Sequence, residues 1–139
     1  MALETWLIDK SAYARLAVSP DREVWMERLS RGLVRISSLT MLELGYSFQN
    51  SSQAHYELAE PPLALMPLEY LGPRAEQRAL DMQRALLEVS EHRGVSIPDL
   101  LIAASAEIAH HTLLHVDRDF ELIARHSGQP IERLTTSGG

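Results

Sequence analysis

The stretch TWLIDKSA, residues 5–12, sets the pattern by which the whole chain is interpreted. A short apolar run from Thr5 to Ile8 ends at Asp9, and Ser11 opens a stretch with helical spacing. Strands that are covered on both faces are apolar throughout, whereas half-exposed strands alternate apolar with polar residues. We therefore predict a buried strand at 5–8 that leads directly into a helix.

The same alternation of strand and helix continues along all 139 residues. Gly and Pro residues or capping positions bound the helical segments, and the further strands are predicted at 33–36, 63–68, 113–116 and 131–134. Pro67 restricts the segment 63–68 to an edge or an end of the sheet. Strands joined by helices imply right-handed crossovers and a parallel sheet, so we predict an α/β fold of three layers, α/β/α.

The composition excludes several classes of protein. The chain has no cysteine, a formal charge of −6 and 45% hydrophobic residues. Disorder, a disulfide scaffold, a thiol nucleophile and a cysteine-bound zinc are therefore excluded, and no general basic surface is available for nucleic acid. The longest apolar run, 100–104, is far shorter than the roughly 18 residues of a membrane span, and no signal peptide is evident. We expect a cytoplasmic protein that does not contact a membrane.

Acidic residues recur where predicted strands end and predicted helices begin. These residues are Asp9, Glu43, Asp99, Asp117 and Asp119. In an open parallel sheet, ligands bind outside the carboxyl ends of the strands. Residues spread over more than a hundred positions are therefore expected to converge on one crevice.

Two explanations of these acids remain open at this point. Each acid alone fits helix capping: Thr40 and Glu43 have capping-box spacing, and Asp9 and Asp117 stand where an N-cap would. Taken together, acids at one sheet edge repel one another unless cations lie between them. Carboxylate oxygens without cysteine suit Mg²⁺ or Mn²⁺, and two such ions about 3.5–4 Å apart would activate a water for phosphodiester cleavage.

Four stretches of the sequence together resemble one known family. They are WLIDKSA (6–12), SLTMLELG (38–45), VSIPDLLIAASAE (95–107) and LLHVDRDFELIA (113–124). In this order and spacing they resemble the PIN-domain ribonucleases, specifically the VapC toxins of type II toxin–antitoxin (VapBC) pairs. The resemblance covers essentially the whole chain. It implies a single PIN domain over 1–135 with a frayed tail at 136–139, and a five-stranded parallel sheet with Asp9 on the central strand.

The resemblance also implies a site. Asp9 and Asp99 would be the main ligands of a Mg²⁺ or Mn²⁺ ion. Glu43 and Asp117 would complete the four-carboxylate cluster and hold a second ion or its waters. Asp119 would be an accessory acid.

Three further residues each have more than one interpretation. Ser11 matches the small polar residue that usually follows the first aspartate, where it would orient Asp9, touch a phosphate or cap a helix. Lys10 replaces the usual threonine, and it would offset the acids, meet the scissile phosphate or extend into water. His115 shares a strand face with Asp117 and would either reach the site or pack in the core.

The function implied by the resemblance is that of a toxin. It would be a metal-dependent endoribonuclease that hydrolyses RNA, such as a transfer RNA or another structured RNA, and leaves a 5′-phosphate and a 3′-hydroxyl. The implied partners are a VapB-like antitoxin and a second copy of the chain. We expect the antitoxin to place an arginine or lysine near Asp9 and Asp99, in a groove walled by 11–31 and 40–60. The alternatives are a catalytically silent binding module of the same fold and a metal-dependent phosphatase.

Overall fold

A computed structural model describes residues 3–137 of the chain, and residues 1–2 and 138–139 lie outside it. The predicted frayed tail falls partly outside the described residues. Within them, one sheet is formed by the strands Trp6–Ile8 (β1), Val34–Ser37 (β2), Leu68–Glu69 (β3), Thr112–His115 (β4) and Ile131–Arg133 (β5). The α-helices are Lys10–Leu16 (α1), Arg22–Ser30 (α2), Ser38–Ser47 (α3), Ser51–Ala59 (α4), Pro73–Glu88 (α5), Ile97–Ile108 (α6) and Arg118–Ser127 (α7).

The sheet is parallel throughout and has the strand order β3-β2-β1-β4-β5. Strand β1 is central, so that Ile8 lies between Ile36 of β2 and Leu114 of β4. The predicted three-layer α/β fold and the central position of the first strand are therefore confirmed. This order brings the ends of β1 and β4 side by side.

Helices cover both faces of the sheet. Trp6 and Ile8 point into one core, which is closed by α1, α2 and α3, while Leu7 points into the other, which is closed by α5, α6 and α7. All three side chains are buried, which explains why this strand is apolar at every position. Helix α6 contributes the most buried residues to the second core. None of the described helices combines the length and the hydrophobicity needed to cross a membrane.

The structure corrects three local predictions. Helix α3 is capped by Ser37, whose side chain accepts from the Thr40 amide, so the predicted cap at Thr40 is wrong. The segment 63–68 is mostly a turn of 3-10 helix at Leu63–Leu65, and the strand is limited to two residues at the sheet edge. Helix α5 ends at Glu88 rather than near Gly94, which belongs to a separate 3-10 turn.

Candidate metal centre

Two neighbouring strands deliver the acids to one edge of the sheet. Asp9 directly follows β1, and its backbone amide donates to the carbonyl of Leu114 on β4 at 3.0 Å. Asp117 lies two residues beyond the end of β4. Because β1 and β4 are adjacent and parallel, their two following segments start at the same level of the sheet.

Asp9 is held in a single orientation by its surroundings. It is 4% exposed and caps α1 by accepting from the Ala12 amide at 3.1 Å. The Ser11 hydroxyl donates to the Asp9 carboxylate, with Oγ at 2.7 and 2.9 Å from its two oxygens. The same hydroxyl oxygen accepts from the Val116 amide at 2.9 Å. One serine therefore links the end of β1 to the segment that carries Asp117.

Three other carboxylates lie close together at this edge. Asp99, Asp117 and Asp119 each offer one oxygen, and these oxygens all lie within 4.8 Å of one another. Asp99 stands in the first turn of α6, where its amide donates to the capping hydroxyl of Ser96 at 3.2 Å. Asp117 caps α7 by accepting from the Asp119 amide at 2.9 Å. Asp117, like Asp9, thus both caps a helix and lies at the acidic edge, whereas α6 is capped by Ser96 and not by Asp99.

The acids raise one another's proton affinity. Burial, and then the negative charge of Asp117, raise the pKa of Asp99 to about 6. Burial raises the pKa of Asp9, although its hydrogen bond from Ser11 acts in the opposite direction. The pKa of Asp119 is raised by burial and by Asp117. Charges that are crowded and partly removed from water favour either protonation or a bound cation.

Glu43 faces Lys10, the residue that follows Asp9 in the chain. The Lys10 ammonium lies 4.0 Å from the nearest Glu43 carboxylate oxygen, and half of the lysine side chain is exposed. An ion pair this long and this exposed is weak, so both side chains are free to take other partners. The ligand role of Glu43 stays a prediction, as do those of Asp9, Asp99 and Asp117.

The donor set fits a small hard cation. Mg²⁺ takes oxygen ligands at about 2.0–2.1 Å in an octahedron, so that neighbouring and opposite ligands lie roughly 3 to 4.2 Å apart. Oxygens that lie within 4.8 Å of one another are close enough to share one ion. The site has carboxylate donors and the chain has no cysteine, a set that suits Mg²⁺ or Mn²⁺ rather than zinc.

The chain matches known proteins along nearly its whole length. The family model for the PIN domain matches residues 7–126. Ribonuclease VapC2 of Mycobacterium tuberculosis is 55% identical over 135 residues, which span 97% of this chain and 96% of that protein. The chain belongs to the VapC ribonucleases. Ribonuclease VapC51 of the same species is similar too, at 37% identity over 99% of this chain and 98% of that protein.

Solved structures agree with this VapC fold. The DNA-bound VapBC structure from Salmonella typhimurium matches with a TM-score of 0.73 and 18% identity, over 94% of this chain and 98% of that one. VapBC2 from Rickettsia felis, bound to a DNA fragment from its promoter, matches with a TM-score of 0.71 and 17% identity, over 93% and 98%. At such low identity these likenesses support the fold alone. The predicted family, PIN domain and class, an RNA-cleaving hydrolase, are confirmed by membership of the VapC ribonucleases.

The acids that lie closest together in this VapC protein are not the same set as the predicted main ligands. Asp119, predicted as accessory, is one of the three carboxylates with the closest oxygens. The D-x-D spacing at 117–119 is the sequence signal for this grouping. When Asp117 caps the helix, its side chain accepts from the backbone amide of Asp119, and the two aspartates are therefore held close together. His115 is fully buried and packs against Phe120. The predicted shared strand face is wrong, because Asp117 lies beyond β4, and the contact is instead made by the Asp117 backbone amide, which donates to His115 Nδ1 at 3.2 Å.

Proposed function

We propose that the chain is a Mg²⁺- or Mn²⁺-dependent endoribonuclease and the toxin of a VapBC pair. The observation that carries the proposal is the approach of the Asp99, Asp117 and Asp119 oxygens to within 4.8 Å at the sheet edge that also bears Asp9. One or two bound ions would supply a water of lowered pKa and positive charge at the scissile phosphate. Because the substrate would be cellular RNA, the proposal includes a cytoplasmic location.

The carboxylates have separate tasks in this proposal. Asp99, Asp117 and Asp9 hold the ions, and Asp119 and Glu43 complete the negative site or orient the coordinated waters. Ser11 keeps the Asp9 carboxylate in place through its hydrogen bond, so that the ligand does not have to be reoriented when an ion binds. Deprotonation of Asp99, whose pKa is about 6, is part of ion binding because a carboxylate binds as its anion.

RNA must approach a protein that carries an overall charge of −6. Two cationic side chains border the site: Lys10 beside Glu43, and Arg118, whose charge lowers the pKa of Asp119. Both residues are exposed. We propose that they contact phosphates next to the cleavage position, with a transfer RNA or another structured RNA as the substrate.

A groove beside the site suits a VapB-like antitoxin. It has a volume of about 440 Å³, lies between α1, α3 and α4, and has Lys10 and Ser11 at its border with the acidic site. Leu44 and Phe48 give it apolar walls. An antitoxin segment that packs here could extend an arginine to the carboxylates, where its planar guanidinium would compete with metal ions.

The proposed homodimer has a surface of the right character. Leu80 on α5 is 56% exposed and Ile97 at the start of α6 is 67% exposed, and both line an apolar groove of about 320 Å³. The centre of a dimer interface is enriched in such side chains. Light scattering of the purified chain should give twice the mass of 15.6 kDa, and a monomer at all concentrations would contradict the dimer alone.

A cleavage assay with purified protein tests the nuclease proposal. A labelled structured RNA is incubated with Mg²⁺, with Mn²⁺ or with a chelator, and the product ends are identified. We expect cleavage only with metal, a 5′-phosphate and a 3′-hydroxyl, and loss of cleavage in Asp99→Asn. Glu60→Gln, at an exposed residue outside the acidic cluster, is the matched control for the lost charge.

The outcomes separate the alternatives. Metal binding without cleavage of any RNA would favour a silent binding module, and hydrolysis of small phosphate esters alone would favour a phosphatase. Full cleavage by Asp99→Asn would contradict the ligand role. Growth arrest by the chain alone, relieved by the neighbouring gene, tests the toxin and its antitoxin. Equal growth in both cases, with an active nuclease, would remove only that arm of the proposal.

A further inference from the structure

His115 occupies the last position of β4 and is 0% exposed. Its carbonyl accepts from the Leu134 amide at 2.9 Å, which continues the pairing with the neighbouring strand. Its ring packs against Phe120 of α7, with 5.6 Å between the ring centroids. The Asp117 amide donates to Nδ1 of this ring at 3.2 Å. The imidazole therefore contacts both the backbone that carries Asp117 and the helix that Asp117 caps.

Two successive amides between β4 and α7 are held by side chains. The Val116 amide donates to Ser11 Oγ, and the Asp117 amide donates to His115 Nδ1. The Asp117 carboxylate then accepts from the Asp119 amide. The direction in which Asp117 and Asp119 leave the strand is thus determined by two side-chain acceptors rather than by the sheet.

The state of the imidazole argues for a role beyond packing. Because Nδ1 accepts a hydrogen bond, the proton of the neutral ring is on Nε2, and Nε2 is buried without a hydrogen-bond partner. A buried donor that lacks a hydrogen-bond partner destabilises the folded protein. An apolar side chain would fill this position without that cost, but it would offer no acceptor to Asp117.

We propose that His115 is a positioning residue that fixes the Asp117 backbone, and through it the Asp117 and Asp119 carboxylates, in the geometry that binds the divalent ion. This inference rests on the proposed metal site. It assigns His115 no contact with the ion or with RNA. Groups that orient a metal ligand typically affect metal affinity by about 10- to 100-fold.

Two substitutions separate positioning from packing. His115→Leu fills the buried position with an apolar side chain and removes both the Nδ1 acceptor and the unpartnered Nε2 proton. His115→Asn places a carbonyl oxygen where Nδ1 stands, but it leaves a cavity against Phe120. Dialysed wild type and both variants are titrated with Mn²⁺ in a calorimeter, and their melting temperatures are measured with chelator present.

The expected result is an opposite ranking in the two measurements. His115→Leu should melt at or above the wild-type temperature yet bind Mn²⁺ at least about tenfold more weakly. His115→Asn should melt lower and yet bind Mn²⁺ within a factor of about three of wild type. Equal affinity in all three proteins, or weak binding by both variants, would overturn the inference. If wild type itself binds Mn²⁺ no better than Asp99→Asn, the proposed metal site fails instead.

A measurement on the wild type covers the case in which His115→Leu does not fold. In ¹⁵N-labelled protein, nuclear magnetic resonance identifies the protonated ring nitrogen, and a coupling across the N–H···N bond links the Asp117 amide to the ring. We expect the proton on Nε2 and the coupling at Nδ1. A proton on Nδ1 would overturn the inference, because that nitrogen could then not accept from Asp117.

Discussion

Replacing Asp99 by asparagine should stabilise the metal-free protein. The pKa of about 6 lies roughly two units above the ordinary value of 3.8, and its causes are burial and the charge of Asp117. Each unit corresponds to about 1.36 kcal/mol, so the charged form of Asp99 destabilises the fold by up to about 3 kcal/mol. Solvent screening, and the loss of a first-turn carboxylate at the positive end of α6, reduce the expected gain to about 1–2 kcal/mol.

The sign of the effect sets its dependence on pH. A carboxyl whose pKa is raised in the folded state binds more protons folded than unfolded between about pH 4 and pH 6. Its destabilising effect is therefore complete at about pH 7, shrinks as the pH falls through about 6, and is lost below about pH 4, where the unfolded carboxyl also becomes protonated. The stability difference between Asp99→Asn and wild type should follow the same course.

Urea unfolding with chelator present measures this difference. The buried Trp6 and Trp25 report unfolding by their fluorescence. Glu60→Gln, which removes an exposed negative charge elsewhere, should leave the stability within about 0.5 kcal/mol of wild type. Adding Mg²⁺ should stabilise wild type and not Asp99→Asn, which lacks the ligand. A variant no more stable than wild type at about pH 7, or a gain that persists at about pH 4, would refute the electrostatic reasoning.

Three further perturbations have defined outcomes. Mn²⁺ affinity, measured by calorimetry, should fall about tenfold between pH 7 and pH 5, because Asp99 has a pKa of about 6 and must lose its proton to bind; equal affinity at both values would contradict this. Ser11→Ala should lower the free energy of unfolding by about 1–3 kcal/mol, since the Val116 amide loses its acceptor. Ser11→Thr, which keeps a hydroxyl, should retain most of the wild-type stability. Gly128→Ala should destabilise by about 1 kcal/mol, because the residue ends α7 with φ of 73°, whereas Gly45→Ala inside α3 should stabilise by up to about 1 kcal/mol. Urea unfolding checks both pairs, and equal effects of the two glycine substitutions would count against the backbone argument.

The acidic site could be predicted as a location but not as a set of contacts. The sequence places Asp9 and Asp117 after strands and Asp99 in a first turn, and parallel strands bring such positions to one edge. The resemblance places Glu43 in the cluster and Asp119 as an accessory acid, whereas the group with the closest oxygens includes Asp119, because that ranking depends on side-chain placement. Asp119 is drawn to Asp117 by the α7 cap, while Glu43 pairs with Lys10.

The architecture could be predicted from apolar runs of strand length, from the helical segments between them, and from Pro67, which disfavours a central strand and directly precedes the edge strand β3. These features depend on local periodicity and backbone chemistry, which every residue carries with it. The hydrogen bond between Ser11 and Val116, 105 positions apart, and the rise in the pKa of Asp99 to about 6 arise only when the chain has folded. Those properties depend on the distances and the burial created when separate strand ends pack together, and no local pattern records them.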